Sequence, residues 1–182
     1  PETGRERWVY DPKVRRTSER PYRCRGVAYA QVPQDDQQGV CRHRIYTVTG
    51  DRRLIAIDAR DGRPCAAFGE RGVVTLAEHE RYGLEEVGSS SPPLVANGVI
   101  VVGSSVIDFA FAEAPRGVVA AYDAATGAPR WTFDPLQGAT GTGAANAWAP
   151  MAVDAERDLV FVPTGAPSPD YYGALRVGSN GY

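Results

Sequence analysis

Residues 121–131 read Ala121-Tyr122-Asp123-Ala124-Ala125-Thr126-Gly127-Ala128-Pro129-Arg130-Trp131, a pattern of the form A-x-D-x-x-T-G-x-x-x-W. Two weaker copies precede it. Residues 56–66 run Ala56-Ile57-Asp58-Ala59-Arg60-Asp61-Gly62-Arg63-Pro64-Cys65-Ala66, and Thr3-Gly4-Arg5-Glu6-Arg7-Trp8 reads as the tail of a third. Gly4, Gly62 and Gly127 lie 58 and 65 residues apart, and an aromatic residue follows each six positions later: Tyr10, Phe68 and Phe133. Repeats at such a period mark stacked or radially arranged units.

Each copy reads as a hairpin. The apolar run Val118-Val119-Ala120-Ala121-Tyr122 enters a polar turn at Asp123 to Gly127, and Arg130-Trp131-Thr132-Phe133 leaves it. Glycine supplies the positive φ that a tight turn needs, and aspartate caps its own turn through its side chain. The tryptophan is then a large apolar plug that docks one sheet on the next, so Trp131 is expected to be buried between two sheets. The middle copy has Asp61 in place of Thr and Ala66 in place of Trp, which predicts a weaker docking contact.

The rest of the chain agrees with an all-β fold. Short strands, rich in β-branched residues and separated by Gly, Pro, Asp and Asn, are expected at 26–31, 44–49, 53–58, 93–96, 99–103, 118–122, 130–133, 150–153 and 159–163. Asn97-Gly98 between two apolar runs is a type I′ hairpin signal, and Asp154 to Arg157 makes a second tight turn. Leu76 to Leu84 could form one turn of helix. Such a pattern admits a sandwich, a barrel or a propeller, and the repeat selects a β-propeller of four-stranded antiparallel sheets arranged radially. Its loops would gather on one face and carry function.

Composition excludes several classes. A length of 182 residues is enough for a full core. The net charge of −2 argues against a nucleic-acid partner, which needs a clustered basic surface. The run Lys13, Arg15, Arg16 and Arg20 reads as a solvated loop. No stretch of 18 apolar residues exists to form a transmembrane helix within these residues. Cys24, Cys41 and Cys65 allow one disulfide with one buried thiol, or three buried free thiols. Without a C-x-x-C pair there is no sign of structural zinc. His43 and His79 both read as loop residues, and no Ser-His-Asp triad or phosphate loop appears.

The repeat resembles the tryptophan-docking motif that locks neighbouring blades together in the quinoprotein propellers. Further stretches look like the glucose-dehydrogenase branch of the pyrroloquinoline-quinone (PQQ) dehydrogenases. They are Cys24-Arg25-Gly26-Val27, Leu54-Ile55-Ala56-Ile57-Asp58, Cys65, Phe68-Gly69, Ser91-Pro92-Pro93 and Gly103-Ser104-Ser105-Val106-Ile107-Asp108. Phe133-Asp134-Pro135, Asn146-Ala147-Trp148-Ala149-Pro150, Asp158 to Gly165 and Pro169-Asp170-Tyr171-Tyr172-Gly173 continue the series in register. The resemblance implies an eight-bladed quinoprotein propeller, of which 1–182 would supply about two and a half blades. The division read from the repeat is 1–11 as the end of one blade, 24–69 and 73–134 as two blades, and 147–182 as the start of the next. A larger parent protein is expected.

The candidate site residues carry matching chemistry. A planar tricyclic quinone needs a flat apolar floor, which an indole supplies; the resemblance assigns that place to Trp148, a core tryptophan being the plainer alternative. Arg25 offers a guanidinium fork to the carboxylates of PQQ, or else forms a structural salt bridge. Asp108, with a carbonyl oxygen from Asn146, would hold a hard divalent cation, Ca or Mg, beside the quinone; an exposed loop aspartate is the alternative. Two departures stand out. The histidine expected just before Arg25 is replaced by Pro21-Tyr22-Arg23, and the asparagine expected after Asp108 is Phe109. The family's catalytic aspartate and its quinone-polarising lysine fall beyond Tyr182, so residues 1–182 alone are expected to lack turnover.

The resemblance implies a periplasmic enzyme that oxidises the hydroxyl of an aldose or polyol and passes electrons to a quinone acceptor. It would meet the membrane only through regions outside 1–182. The absence of an adjacent Cys-Cys pair favours sugars over simple alcohols. The competing reading is a non-catalytic propeller that resembles an outer-membrane assembly lipoprotein. A scaffold has no reason to keep Trp148 and Arg25.

Overall fold

The structure is a computed structural model that describes residues 3–15, 24–33, 39–76, 87–107, 113–172 and 174. Among the described residues there are twelve strands and no α-helix. Strands β1 (Ala28–Gln31), β2 (His43–Val48), β3 (Arg53–Asp58) and β4 (Val73–Thr75) form one antiparallel sheet in chain order. The short strand β5 (Val87–Gly88) follows, then β6 (Leu94–Ala96) and β7 (Val99–Val102). After β8 (Ser105–Val106) come β9 (Val119–Asp123) and β10 (Pro129–Phe133), and the second four-stranded sheet is ordered β6-β7-β9-β10. Strands β11 (Ala152–Asp154) and β12 (Leu159–Phe161) pair with each other, and β5 pairs with β8. Two complete propeller blades and two strands of a third are therefore present.

The blades meet through alternating side chains, since successive residues of a strand face opposite sides. Ile100, Val102, Ala120 and Tyr122 of the second blade pack with Tyr46, Val48, Leu54 and Ala56 of the first. Their neighbours Val101, Val119 and Ala121 turn the other way, against Val160, Val162 and Met151. Central strands buried on both faces account for the unbroken apolar runs in the sequence. Buried aromatic and aliphatic groups of this kind contribute about 1.5–3 kcal/mol each, so the core of the fold is the space between the sheets.

The repeat behaves as its chemistry requires. Gly4, Gly62 and Gly127 have φ of +64°, +75° and +77°. Asp123 Oδ1 accepts from Ala125 N, Thr126 N and Thr126 Oγ1 at 3.0, 2.8 and 2.9 Å. Trp8 of the first copy lies on Gly62 of the second, where a Cβ would stand 2.6 Å from the indole, and donates Nε1 to Ala59 O at 3.2 Å. In the next interface Ala66 offers no ring. The Val74 side chain, 2.6 Å from where a Cβ of residue 127 would stand, and the fully buried Phe68, 3.3 Å from it, lie against Gly127 instead, and Gly69 N donates to Thr126 O at 2.8 Å.

Polar groups add a second lock. Buried Arg44 donates Nε to Cys41 O at 2.7 Å and Nη1 to Ala124 O and Ala125 O at 3.0 and 2.6 Å. Tyr46 Oη donates to the same Ala124 O at 2.6 Å. Cys41 and Cys65 form a disulfide, and Cys24 is a free thiol. The Asn97-Gly98 turn has positive φ at both residues, +47° and +75°, as a type I′ hairpin needs.

Several expectations change. Trp131 is 43 % exposed instead of buried, because β10 is the outer strand of its sheet and no described sheet lies against its face. His43 opens β2 instead of lying in a loop; its Nδ1 lies 2.7 Å from Tyr29 Oη. Val73–Thr75, expected at the head of the second blade, pairs with β3 and so closes the first sheet. Strands β4, β5 and β8 are too short, at two or three residues, to show alternation in the sequence. Of the helical turn expected at Leu76 to Leu84, Leu76 is described and is not helical, while residues 77–84, His79 among them, lie outside the described residues.

Candidate functional site

Arg25 and Trp148, 123 residues apart in sequence, are brought together. Arg25 precedes β1, and its backbone N donates to Ser90 O at 3.1 Å. Its Nη1 donates to Trp148 O at 2.8 Å and to Ser90 Oγ at 3.4 Å. The guanidinium carbon stands 5.1 Å from the centroid of the Trp148 ring, a cation–π contact. Trp148 remains 45 % exposed, so the indole forms a surface and does not serve as a core residue.

The segment that presents Trp148 is tightly fixed. Ala144 and Ala145 are both fully buried and both have positive φ, +55° and +52°. That conformation costs an L-residue roughly 1–2 kcal/mol, and it persists because partners surround it. Ala144 N donates to Pro115 O at 2.8 Å, Gly117 N donates to Ala144 O at 2.8 Å, and Ala145 N reaches Ala166 O at 3.3 Å. Gly117 lies so close that a Cβ would stand 2.4 Å from Ala144 O. Ser168 Oγ accepts from Gly143 N and Ala114 N at 2.9 and 3.1 Å. Strained backbone held by its surroundings is a common feature of binding sites.

Asn146, two residues before Trp148, is 1 % exposed. Its carbonyl accepts from Gly165 N at 3.0 Å, while its side-chain Oδ1 is buried with no partner among the described residues. Ser104 Oγ is orphaned in the same way. A buried polar atom left unpaired costs about 1–3 kcal/mol, which is a reason to look for a missing partner. Asp108 and Phe109 lie outside the described residues. Among the described residues no cluster of three His, Cys, Asp or Glu side chains is placed to hold a metal.

Sequence reasoning missed the serines. Ser89, Ser90, Ser91, Ser104 and Ser105 are all buried. Ser90 Oγ pairs with Ser105 Oγ and donates to Trp148 O at 3.2 Å. Ser91 Oγ donates to Ala149 O at 2.9 Å. The signal was present in the runs Gly88-Ser89-Ser90-Ser91 and Gly103-Ser104-Ser105, where five hydroxyls follow short apolar strands and only Ser105 lies within one. Serine in such a run has to find partners.

The residues present fit PQQ. Trp148 offers a flat, partly exposed aromatic surface. Arg25 uses Nη1 internally but has Nε and Nη2 without a partner among the described residues, which leaves a fork for a carboxylate. Asn146 Oδ1 is a hard oxygen donor in search of a partner.

Comparison with known proteins gives the family. The chain is 34 % identical to the quinoprotein glucose dehydrogenase A of Acinetobacter calcoaceticus, over 97 % of this chain and 25 % of the relative. It is 38 % identical to the glycerol dehydrogenase large subunit of Gluconobacter oxydans, again over 97 % of this chain and 25 % of the relative. It thus spans about a quarter of the length of these curated relatives. The solved structure of the quinohemoprotein alcohol dehydrogenase from Comamonas testosteroni superposes with a TM-score of 0.63, at 24 % identity, over 92 % of this chain and 26 % of that one; that likeness concerns the fold. The profile of the PQQ glucose/ethanol/alcohol dehydrogenase β-propeller domain matches residues 1–182 throughout, and the chain belongs to that family.

Proposed function

We propose that residues 1–182 supply the aromatic floor and one carboxylate-binding arm of the quinone site in a dehydrogenase acting on the hydroxyl of an aldose or polyol. The observation that carries this is the Arg25–Trp148 pair: an exposed indole with a guanidinium at 5.1 Å whose Nε and Nη2 have no partner among the described residues and so offer two donors to an anion. Trp148 orients a planar group by stacking, and Arg25 neutralises and aligns a carboxylate at its edge. Asn146 Oδ1 and Asp108 are the proposed oxygen donors for a divalent cation, Ca or Mg. Bound PQQ supplies the two-electron acceptor, while the protein positions it and tunes its surroundings. Electrons then pass to a quinone acceptor. We assign the parent protein to the periplasm; among the described residues no helix is long and apolar enough to cross a membrane. The scaffold alternative is not favoured, since the relatives named above are dehydrogenases.

The test is a titration of the whole parent protein with PQQ, with and without calcium or magnesium, followed by quinone absorbance and then by oxidation of glucose and glycerol. Trp148→Ala and Arg25→Ala should each weaken PQQ binding by at least about tenfold, or ~1.4 kcal/mol. Unchanged binding in both variants would overturn the assignment. Preference for glucose or glycerol then fixes the substrate class.

A further inference from the structure

The Gly88–Ser91 strap that meets Arg25 and Trp148 is itself held from the first blade. Arg52 sits in the turn between β2 and β3, with φ of +60°, a conformation uncommon for any residue but glycine. Its backbone is fixed on both sides, N donating to Thr49 O at 3.1 Å and O accepting from Leu76 N at 2.9 Å. The side chain is 2 % exposed, and Nη1 donates to Gly88 O at 2.7 Å and to Ser89 Oγ at 2.7 Å. Burying a guanidinium is costly, and here both of these Nη1 bonds go to a strap in another part of the fold. The next residue along that strap is Ser90, whose carbonyl accepts from Arg25 N and whose hydroxyl meets Arg25 Nη1 and Trp148 O. Ser91 follows, bound to Ala149 O.

We propose that Arg52 is a positioning residue for the quinone site, setting the place of Arg25 and Trp148 through residues 88–91. The proposal rests on the reading that Arg25 and Trp148 hold PQQ. Because Ser90 bonds both partners of the pair, a displacement of the strap is felt by both at once. The guanidinium grips a backbone carbonyl and a hydroxyl together, so a point charge such as lysine reproduces it only in part.

The experiment uses the full chain labelled with 5-fluorotryptophan, the Trp148 resonance being assigned by its loss in Trp148→Phe. Arg52→Leu is expected to shift that resonance and to weaken PQQ binding by about tenfold, the scale lost when residues that orient a ligand are removed. Arg52→Lys should lie between it and the native protein. Arg44→Leu is the control: Arg44 is equally buried but donates to Cys41, Ala124 and Ala125. It should lower the melting temperature and leave both the resonance and PQQ binding within about twofold. Should Arg52→Leu fail to fold, Ser89→Ala and Arg52→Lys carry the test. An unmoved Trp148 resonance in the Arg52 and Ser89 variants overturns the proposal, and so does an equal effect from Arg44→Leu. If the native protein binds no PQQ, the site reading fails, while the resonance shift in ligand-free protein still decides the role of Arg52.

Discussion

Ala124 O is the point at which the two complete blades share one acceptor between two donors, Tyr46 Oη at 2.6 Å and Arg44 Nη1 at 3.0 Å. Tyr46→Phe removes one donor and leaves the carbonyl paired, so it should cost about 1 kcal/mol, the net contribution of an ordinary hydrogen bond. Arg44→Met leaves Cys41 O and Ala125 O without that donor. At about 1–3 kcal/mol for each orphaned acceptor, reduced by the relief of not burying a charge, it should cost about 2–4 kcal/mol. The double variant strips Ala124 O of both donors. Its cost should therefore exceed the sum of the two by about 1–2 kcal/mol, the difference between losing a hydrogen bond and abandoning a buried acceptor. Urea unfolding of the four proteins, followed by tryptophan fluorescence, measures this directly. Additivity within ~0.5 kcal/mol, as for independent sites, would refute the shared-acceptor argument. A pH limb gives a second check. Burial, opposed by the nearby Arg44 charge, pushes Tyr46 from 10.0 up to about 12. A phenol raised in the folded state stabilises it fully below the unfolded value near 10 and loses that contribution as the pH rises towards 12. The native protein should lose stability over this interval by an amount that Tyr46→Phe does not.

Three further outcomes are expected. Gly98→Ala should cost about 1–2 kcal/mol for the left-handed backbone alone, whereas Gly62→Ala must also displace Trp8, 2.6 Å from the new Cβ; thermal melts should rank Gly62→Ala below Gly98→Ala, and equal melting temperatures would contradict the docking role of Trp8. At low pH, Asp58 is held below the usual carboxylate range chiefly by Arg60, and Asp123 is held below it because bonds from Thr126, Arg130 and Ala125 outweigh burial. Both contributions are complete above about pH 4 and fade as the pH falls, so Asp123→Asn should have a shallower acid-unfolding limb than the native chain. Reducing the Cys41–Cys65 disulfide, which closes a sequence separation of 24 residues, should cost about 3 kcal/mol in denaturant unfolding.

The fold was legible because its repeat is chemical as well as statistical. Asp123, Thr126 and Gly127 perform in the structure the turn functions their side chains suggest, and the two-sided burial of β7 and β9 produces the apolar runs that mark strands. What escaped notice has physical reasons. A strand of two residues, such as Val87–Gly88, carries no period. The docking motif names the residue that docks but not where the opposing sheet lies, so the exposure of Trp131 could not be read from it. At the site, Arg25 and Trp148 were visible as unusual residue types in recognisable company. The serines between them were not, because a hydroxyl reveals its role only through its partners, and those lie on segments 58 to 65 residues away.

The inter-blade lock also has a history within each molecule. Arg44 waits for acceptors that lie 80 and 81 residues further along the chain. At a synthesis rate of ~5–20 residues per second, that separation is roughly 4–16 s. Through that time the first blade has a buried-type arginine and the apolar face of Tyr46, Val48 and Leu54 open to water. Slow codons between residues 44 and 125 would lengthen that exposure.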